Sequence, residues 1–276
     1  MHARYEAAER DRPFAGLVEG MTHDYVNSEW RQTLEANGME SFEQIWPVGG
    51  DAWFEPPNHA RGGWSGVTRQ VLIMPNGDQV GIFVKRQENH AYRSWRHFFR
   101  LAATLERELR NCRRFCELGI PSMEPIYYAE RKVDGKLRAI LITRELEGYH
   151  SLDSAEYRPI RQVARAERQH LIASLAGIIR QMHAHRFQHT CLYPKHLFVK
   201  KNPDGSLDAR FIDLEKTRWL PFRRRIATRD LDSLQRHAEG WSRTDCLRLF
   251  LAYRQEKKLS PASKRLLRTI LGKRKR

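Results

Sequence analysis

His189-Thr190-Cys191-Leu192-Tyr193-Pro194-Lys195-His196 leads into Leu197-Phe198-Val199, then a turn, then Phe211-Ile212-Asp213-Leu214. The two apolar stretches read as strands. Asn202-Pro203-Asp204-Gly205 between them is a turn signal, because Pro fixes φ and Gly accepts a positive one. A two-residue Asp204-Gly205 turn puts His196 opposite Asp213, and a three-residue loop with a bulge shifts the pairing by one. In either register an imidazole and a carboxylate stand at the open end of one hairpin, roughly 5–6 Å apart by backbone spacing. Strand ends on a rigid scaffold are where metal and phosphate ligands of phosphotransferases sit.

The rest of the chain has to supply a setting for that pair. Its 276 residues suffice for one large domain or two lobes, and 41% of them are apolar. No apolar run approaches the ~20 residues that span a bilayer. The first ten residues lack a signal peptide's apolar centre, and four cysteines (Cys112, Cys116, Cys191, Cys246) are too sparse for a disulfide scaffold. A reducing, cytoplasmic setting is expected. The formal charge of +16 suits a polyanionic partner: nucleic acid, an anionic membrane face or a phosphorylated glycolipid. It also suits a merely well-solvated surface. Arg223-Arg224-Arg225 and the tail Gly272 to Arg276 are its densest spots.

Residues 1–40 are polar and weakly periodic, with a short helix expected around Ser28–Ala36. From about Ile45 the chain turns strand-like. Arg61-Gly62-Gly63-Trp64-Ser65-Gly66-Val67 is Gly-rich and leads into Gln70–Met74, a Pro75-Asn76-Gly77-Asp78 turn and Val80–Lys85. Glycines let backbone N–H groups approach phosphate oxygens, and a lysine on the following strand adds a cation. Ser94 to Leu118 reads as a helix closed by Gly119 and Pro121, with Phe98, Leu101, Leu105, Leu109, Cys112 and Cys116 on its core face. Glu106 and Glu108 fall near opposite edges of that face, so periodicity leaves open which one meets Lys85. A strand at Ala139–Arg144 and a crossover at Glu145–Gly148 follow. Helices are expected at Val163–His185, from Asp230, and at Thr244–Glu256. Strands with one helix, then a helical half holding one hairpin, predict an α+β bilobal protein with a cleft.

These ordered parts resemble the protein-kinase-like fold, and more narrowly the Kdo/WaaP group of lipopolysaccharide kinases and its InaA branch, over roughly Gly62 to Tyr253. The resemblance implies ATP and Mg²⁺ as cofactors and an inner-core sugar as acceptor. It implies an N-terminal extension (1–40), an N-lobe (41–147) with the phosphate loop of Gly62, Gly63 and Gly66, and a C-lobe (148–276). It matches Lys85 to the lysine that holds the ATP phosphates and Glu108, rather than Glu106, to its helix partner. His189 matches the catalytic-loop histidine, Asp213 the Mg²⁺-binding aspartate, His196 the second metal position and Asp230 the aspartate that supports the loop backbone. Cys191 stands where the catalytic aspartate is expected, Thr190 replaces the preceding arginine, and Leu214 follows Asp213 where protein kinases have Phe-Gly.

Three functions follow from these residues. One is a kinase acting on an anionic glycolipid or phosphorylated sugar, with Cys191 beside the acceptor hydroxyl and Arg218, Arg223, Arg224 and Arg225 on substrate phosphate. Another is a pseudokinase that binds and regulates. The third is a nucleic-acid-binding protein, with bases stacking on Trp219 among those arginines. His183, His185, His189, Cys191 and His196 also raise a zinc alternative, although their spacing matches no common structural zinc pattern. Leu259 to Arg276 reads either as an amphipathic segment on an anionic membrane surface or as a plain terminal helix.

Overall fold

A computed structural model describes residues 24–60, 62–93, 101–160, 162–221 and 226–272. The chain adopts the expected α+β, two-lobed arrangement. Six antiparallel strands make the first lobe's sheet: β1 (Tyr25–Val26), β2 (Trp53–Ala60), β3 (Gly63–Ile73), β4 (Gln79–Glu88), β7 (Pro125–Val133) and β8 (Lys136–Arg144). Their spatial order is β1-β7-β8-β4-β3-β2. Strand alternation divides β4 between two faces. Val80, Ile82 and Val84 enter an outer core with Ile126, Ile140 and Ile142, while Lys85 turns to the opposite face and meets a helix there.

The outer core is closed by helices α1 (Arg31–Ala36) and α2 (Phe42–Ile45). Trp30, Leu34 and Met39 belong to it, although the sequence reading assigns them to an extension. Each such side chain contributes about 1.5–3 kcal/mol on burial. The strand expected from Ile45 begins at Trp53 instead, because Ser41 and Gln44 form a capping box that starts a helical turn.

The Gly-rich stretch is mostly strand rather than loop. Only Gly62, with φ +82°, lies outside β3. A Cβ on Gly63 would come within 2.0 Å of the Glu88 carbonyl oxygen, and one on Gly66 within 2.6 Å of the Trp53 ring. Those two glycines are therefore required by close packing of neighbouring strands.

The helix expected from Ser94 begins at Thr104 (α3, Thr104–Glu117). Leu101–Ala103 forms a short strand, β6, antiparallel to β5 (Ala91–Arg93). Buried Gln87 explains the start: its Oε1 accepts from the Leu105 N–H and the Thr104 hydroxyl, replacing the missing side-chain cap. Gly119, at φ +64°, ends the helix as expected, with Ile120 N–H returning to the Phe115 carbonyl. Phe98 lies outside the described residues. Cys112 is buried, whereas Cys116 is exposed and does not join the core face.

Helices α4 (Arg165–Ala184), α5 (Ile226–His237), α6 (Arg243–Arg254) and α7 (Pro261–Gly272) build the second lobe around Leu175, Ile179, Phe211 and Phe250. Two small sheets complete it. One has β9 (His150–Ser151), β11 (Leu197–Lys201) and β12 (Leu207–Phe211), and the other β10 (Phe187–Gln188) and β13 (Arg218–Trp219). The β11–β12 hairpin takes the three-residue option: Leu197 pairs with Phe211, and Asn202 N–H closes on Ser206 around a loop with Gly205 at φ +79°. The terminal helix α7 buries Ile270 and packs Leu266 and Leu267 on the core, leaving Leu271 exposed. An apolar cavity of about 520 Å³ opens between α5, α6 and α7, lined by Leu231, Leu234, Trp241, Phe250, Leu267 and Ile270. Among the described residues, no helix is long and apolar enough to cross a membrane.

Candidate functional site

Lys85 on β4 lies in register with Val67 of β3 and Leu141 of β8, so strands flank it on both sides. Its ammonium is 2.7 Å from Glu108 Oε1 on α3. Glu108 is 1% exposed and Lys85 22%, which makes the lysine the open member of the pair. Burial works against the Lys85 charge, but Glu108 and then Asp213 outweigh it and hold its pKa above the usual lysine value. Burial likewise pushes the Glu108 carboxyl up, against the pull of Lys85. Glu106 serves a different edge of the helix, bonded to Arg110 at 3.3 Å and to the Tyr92 hydroxyl at 3.2 Å. Spacing alone could not separate the two glutamates.

Asp213 follows β12 with a left-handed backbone, φ 55° and ψ 61°. A non-glycine residue held there is strained and needs its surroundings to fix it. Its carboxylate is 34% exposed and lies 3.3 Å from His196 Nε2. Burial works to raise its pKa, but Lys85, then His196 and His189, keep it below the ordinary aspartate range. Lys85 and Asp213 therefore share one electrostatic environment.

The strap after Asp213 is held by α3. Asn111 donates from its side-chain amide to the carbonyls of Leu214 at 2.7 Å and Thr217 at 2.9 Å. Arg107 reaches Glu215 at 3.2 Å. Helix α3 thus carries Lys85's partner and also secures the segment that presents Asp213. Sequence reasoning missed Asn111, although a polar residue three positions beyond Glu108 on a buried stripe is a usable signal.

Asp230, fully buried on α5, accepts from the N–H groups of His189 at 2.8 Å and Thr190 at 2.9 Å, and from His183 Nε2 at 3.1 Å. The Tyr253 hydroxyl closes the far side on His183 Nδ1 at 3.0 Å. Thr190 has φ +67°, a second strained position, and its hydroxyl donates to the Lys216 carbonyl. These bonds fix the loop that carries half-buried Cys191. Nothing in the sequence marked His183 or Tyr253 as parts of this network, because each lies on an ordinary core-facing helix.

His196 donates from Nδ1 to the Cys191 carbonyl at 2.8 Å, and His189 from Nε2 to the Ile212 carbonyl at 3.1 Å. The two rings stack with centroids 5.8 Å apart. Burial lowers both imidazole pKa values, that of His196 to about 4, against the attraction of Asp213. His189 Nδ1 is buried and has no partner among the described residues.

The donor set suits a divalent cation held jointly with a ligand. Among the described residues, no three His, Cys, Asp or Glu side chains converge on one metal position. That also removes the zinc cluster suggested by residue spacing: His183 is spent on Asp230, and His185 is exposed. Asp213 and His196 would supply two donors, with phosphate oxygens and water supplying the rest. Of the four arginines expected on substrate, Arg218 is exposed on β13, paired in register with Gln188. Arg223, Arg224 and Arg225 lie outside the described residues.

The model of the lipopolysaccharide kinase (Kdo/WaaP) family matches residues 43–253. Protein InaA of Escherichia coli (strain K12) is 29% identical over 207 residues, covering 75% of this chain and 92% of that protein. A solved structure of WaaP in complex with acyl carrier protein superposes with a TM-score of 0.61 at 21% identity, covering 91% of this chain and 97% of that one. At that identity the likeness establishes the fold.

Proposed function

Because the chain belongs to the lipopolysaccharide kinase (Kdo/WaaP) family, we propose that it phosphorylates a sugar hydroxyl on a lipopolysaccharide-type or related anionic glycolipid. The Lys85–Glu108 pair facing the Asp213 carboxylate carries this reading. When bound, ATP supplies the phosphoryl group and Mg²⁺ neutralises its developing charge. Lys85 holds phosphate oxygens, and Glu108 keeps the ammonium aimed at them. Asp213 and His196 hold the cation, while Gly62, at the tip of the β2–β3 hairpin with φ +82°, lets phosphate approach the backbone. Asp230 fixes the loop so that Cys191 stands beside the acceptor hydroxyl. Arg218, with Arg223, Arg224 and Arg225, engages acceptor phosphate. The protein works in the cytoplasm, touching the anionic inner-membrane face where its acceptor resides.

A positioned base contributes about 10²–10⁴-fold. Positioning and cation charge carry most of the remaining barrier reduction in phosphoryl transfer. A cysteine at the base position is thus compatible with slow turnover. The same cysteine supports a second reading, a pseudokinase that binds nucleotide and regulates a partner. The net charge of +16 keeps a nucleic-acid partner as a third, marked by affinity that falls steeply with salt. The partner of WaaP also suggests one here: the cavity between α5, α6 and α7 has the apolar lining that an acyl chain on a carrier protein requires.

A thermal-shift titration with Mg²⁺ and a non-hydrolysable ATP analogue tests the kinase-fold reading. Wild type is expected to shift, and Lys85→Ala and Asp213→Ala are not. No shift in wild type, or equal shifts in all three, rejects it. ATP turnover that is absent, and unchanged by Cys191→Ala, selects the pseudokinase.

A further inference from the structure

We propose that Tyr193 and His237 form the platform on which the acceptor's sugar ring stacks, next to Cys191. The inference rests on the reading of the chain as a sugar kinase and adds the side chains that select the acceptor. Its basis is a row of rings running from the core to the surface. His189, fully buried, stacks on His196 with centroids 5.8 Å apart. Tyr193 follows at 5.5 Å from His196, and His237, the exposed last residue of α5, lies 4.5 Å beyond Tyr193.

The backbone fixes where the outer rings stand. Pro194 holds the residue before it extended, with Tyr193 at φ −104° and ψ 154°. The Tyr193 N–H donates to the Cys191 carbonyl at 2.8 Å, and its own carbonyl accepts from the His196 N–H at 2.9 Å. This half-buried ring is thereby tied to the Cys191 loop. His237 donates from Nδ1 to the Ser233 carbonyl at 2.8 Å, which leaves Nε2 uncommitted. The inner two rings spend a nitrogen each on the Ile212 and Cys191 carbonyls. The Tyr193 hydroxyl and His237 Nε2 have no hydrogen-bond partner among the described residues. The outer pair thus offers aromatic carbon with two free polar tips. A sugar ring is the complement: a C–H face that packs on aromatic carbon, rimmed by hydroxyls that both donate and accept.

Saturation-transfer NMR reads this contact without any turnover. The probe is the deacylated inner-core oligosaccharide of a lipopolysaccharide, added to the full chain at high salt so that charge is screened. Saturating the protein's aromatic protons should transfer to the sugar C–H protons. Tyr193→Leu and His237→Ala should each weaken the affinity roughly tenfold. Tyr193→Phe keeps the ring, loses one hydroxyl and should cost about threefold. His237 ends a helix at the surface, so its variant keeps the test sound even where Tyr193→Leu does not fold. No transfer in wild type, or an unchanged affinity in folded His237→Ala, overturns the proposal. If the ATP analogue still shifts wild type in that case, the kinase-fold reading stands. Sugar contact without any nucleotide shift rejects the kinase reading and leaves the platform in place.

Discussion

Asn111 on α3 donates its side-chain amide to the Leu214 carbonyl at 2.7 Å, bridging 103 residues of sequence and tying Glu108's helix to the strap behind Asp213. A second bond to Thr217 at 2.9 Å uses the same nitrogen. Asn111→Leu keeps the approximate volume and strips the donor from two buried carbonyls. We expect a loss of roughly 1–3 kcal/mol, read as a lower denaturant midpoint. Amide exchange should accelerate at Thr217 and not at the β11–β12 hairpin. A variant as stable and as protected as wild type would show the clamp to be dispensable.

Lys85→Ala strands Glu108 at 1% exposure without its cation. Lys85 is itself part-exposed, so the cost should lie toward the low end of the roughly 3–5 kcal/mol typical of a broken buried pair. The sign with pH is fixed. Burial already raises the Glu108 pKa, and losing the lysine raises it further. Protonation then relieves the variant, so its deficit should be smallest near pH 5 and grow as pH rises through the raised pKa. Lys85→Met combined with Glu108→Gln should recover most of the stability while leaving nucleotide unbound. Equal deficits at pH 5 and 8 would contradict this account.

Much of this site was legible because its parts follow strong local patterns. Pro203, Asp204 and Gly205 forced a hairpin, which brought His196 to Asp213 whichever register held. Gly119 stopped α3 where its positive φ requires. What stayed hidden depends on contacts remote in sequence. The helix start at Thr104 is set by Gln87, seventeen residues earlier and on another element. Gly63 and Gly66 looked like a loop because packing against Glu88 and Trp53 leaves no trace in their own neighbours. Trp30, Leu34 and Met39 looked peripheral because their core lies on a face of a sheet whose other five strands all come later in the chain. His183 and Tyr253 gained meaning only once Asp230 was buried between them and the loop.

The depressed pKa of His196 predicts an acid-sensitive fold. Burial holds its folded value at about 4, below the ordinary histidine value. Between the two values the unfolded chain binds the extra proton, so stability is full above about pH 6.5 and is lost progressively down to about pH 4. The loss attributable to His196 is about 3 kcal/mol. The pKa of His189 is also lowered, by burial, and adds in the same direction. Asp213 stays outside the window because its pKa lies below the usual aspartate value. Chemical denaturation of the metal-free protein from pH 7.5 to 4.5 should show the slope, and His196→Gln should flatten it. A slope indifferent to that substitution would assign the acid sensitivity elsewhere.

Cys191 decides between slow catalysis and none. Its loop is held from both sides, since Asp230 accepts from the backbone N–H groups of His189 and Thr190 on one side and His196 Nδ1 donates to the Cys191 carbonyl on the other. The thiol is only half-buried, so a carboxylate in its place would keep access to water and remain ionised. On the kinase reading, Cys191→Asp therefore supplies a positioned base and leaves Lys85 and Asp213, the proposed phosphate and cation ligands, unaltered. Turnover of ATP in the presence of an acceptor should rise, by up to about 10²–10⁴-fold, in kcat rather than in the KM for nucleotide, because Lys85 and Asp213 are untouched. Cys191→Ala gives the converse: a fall in kcat if the thiolate takes the hydroxyl proton, no change if it is idle. A folded, nucleotide-binding Cys191→Asp variant that gains nothing, beside a Cys191→Ala variant that loses nothing, would mark the cleft as a binding site whose chemistry has been abandoned.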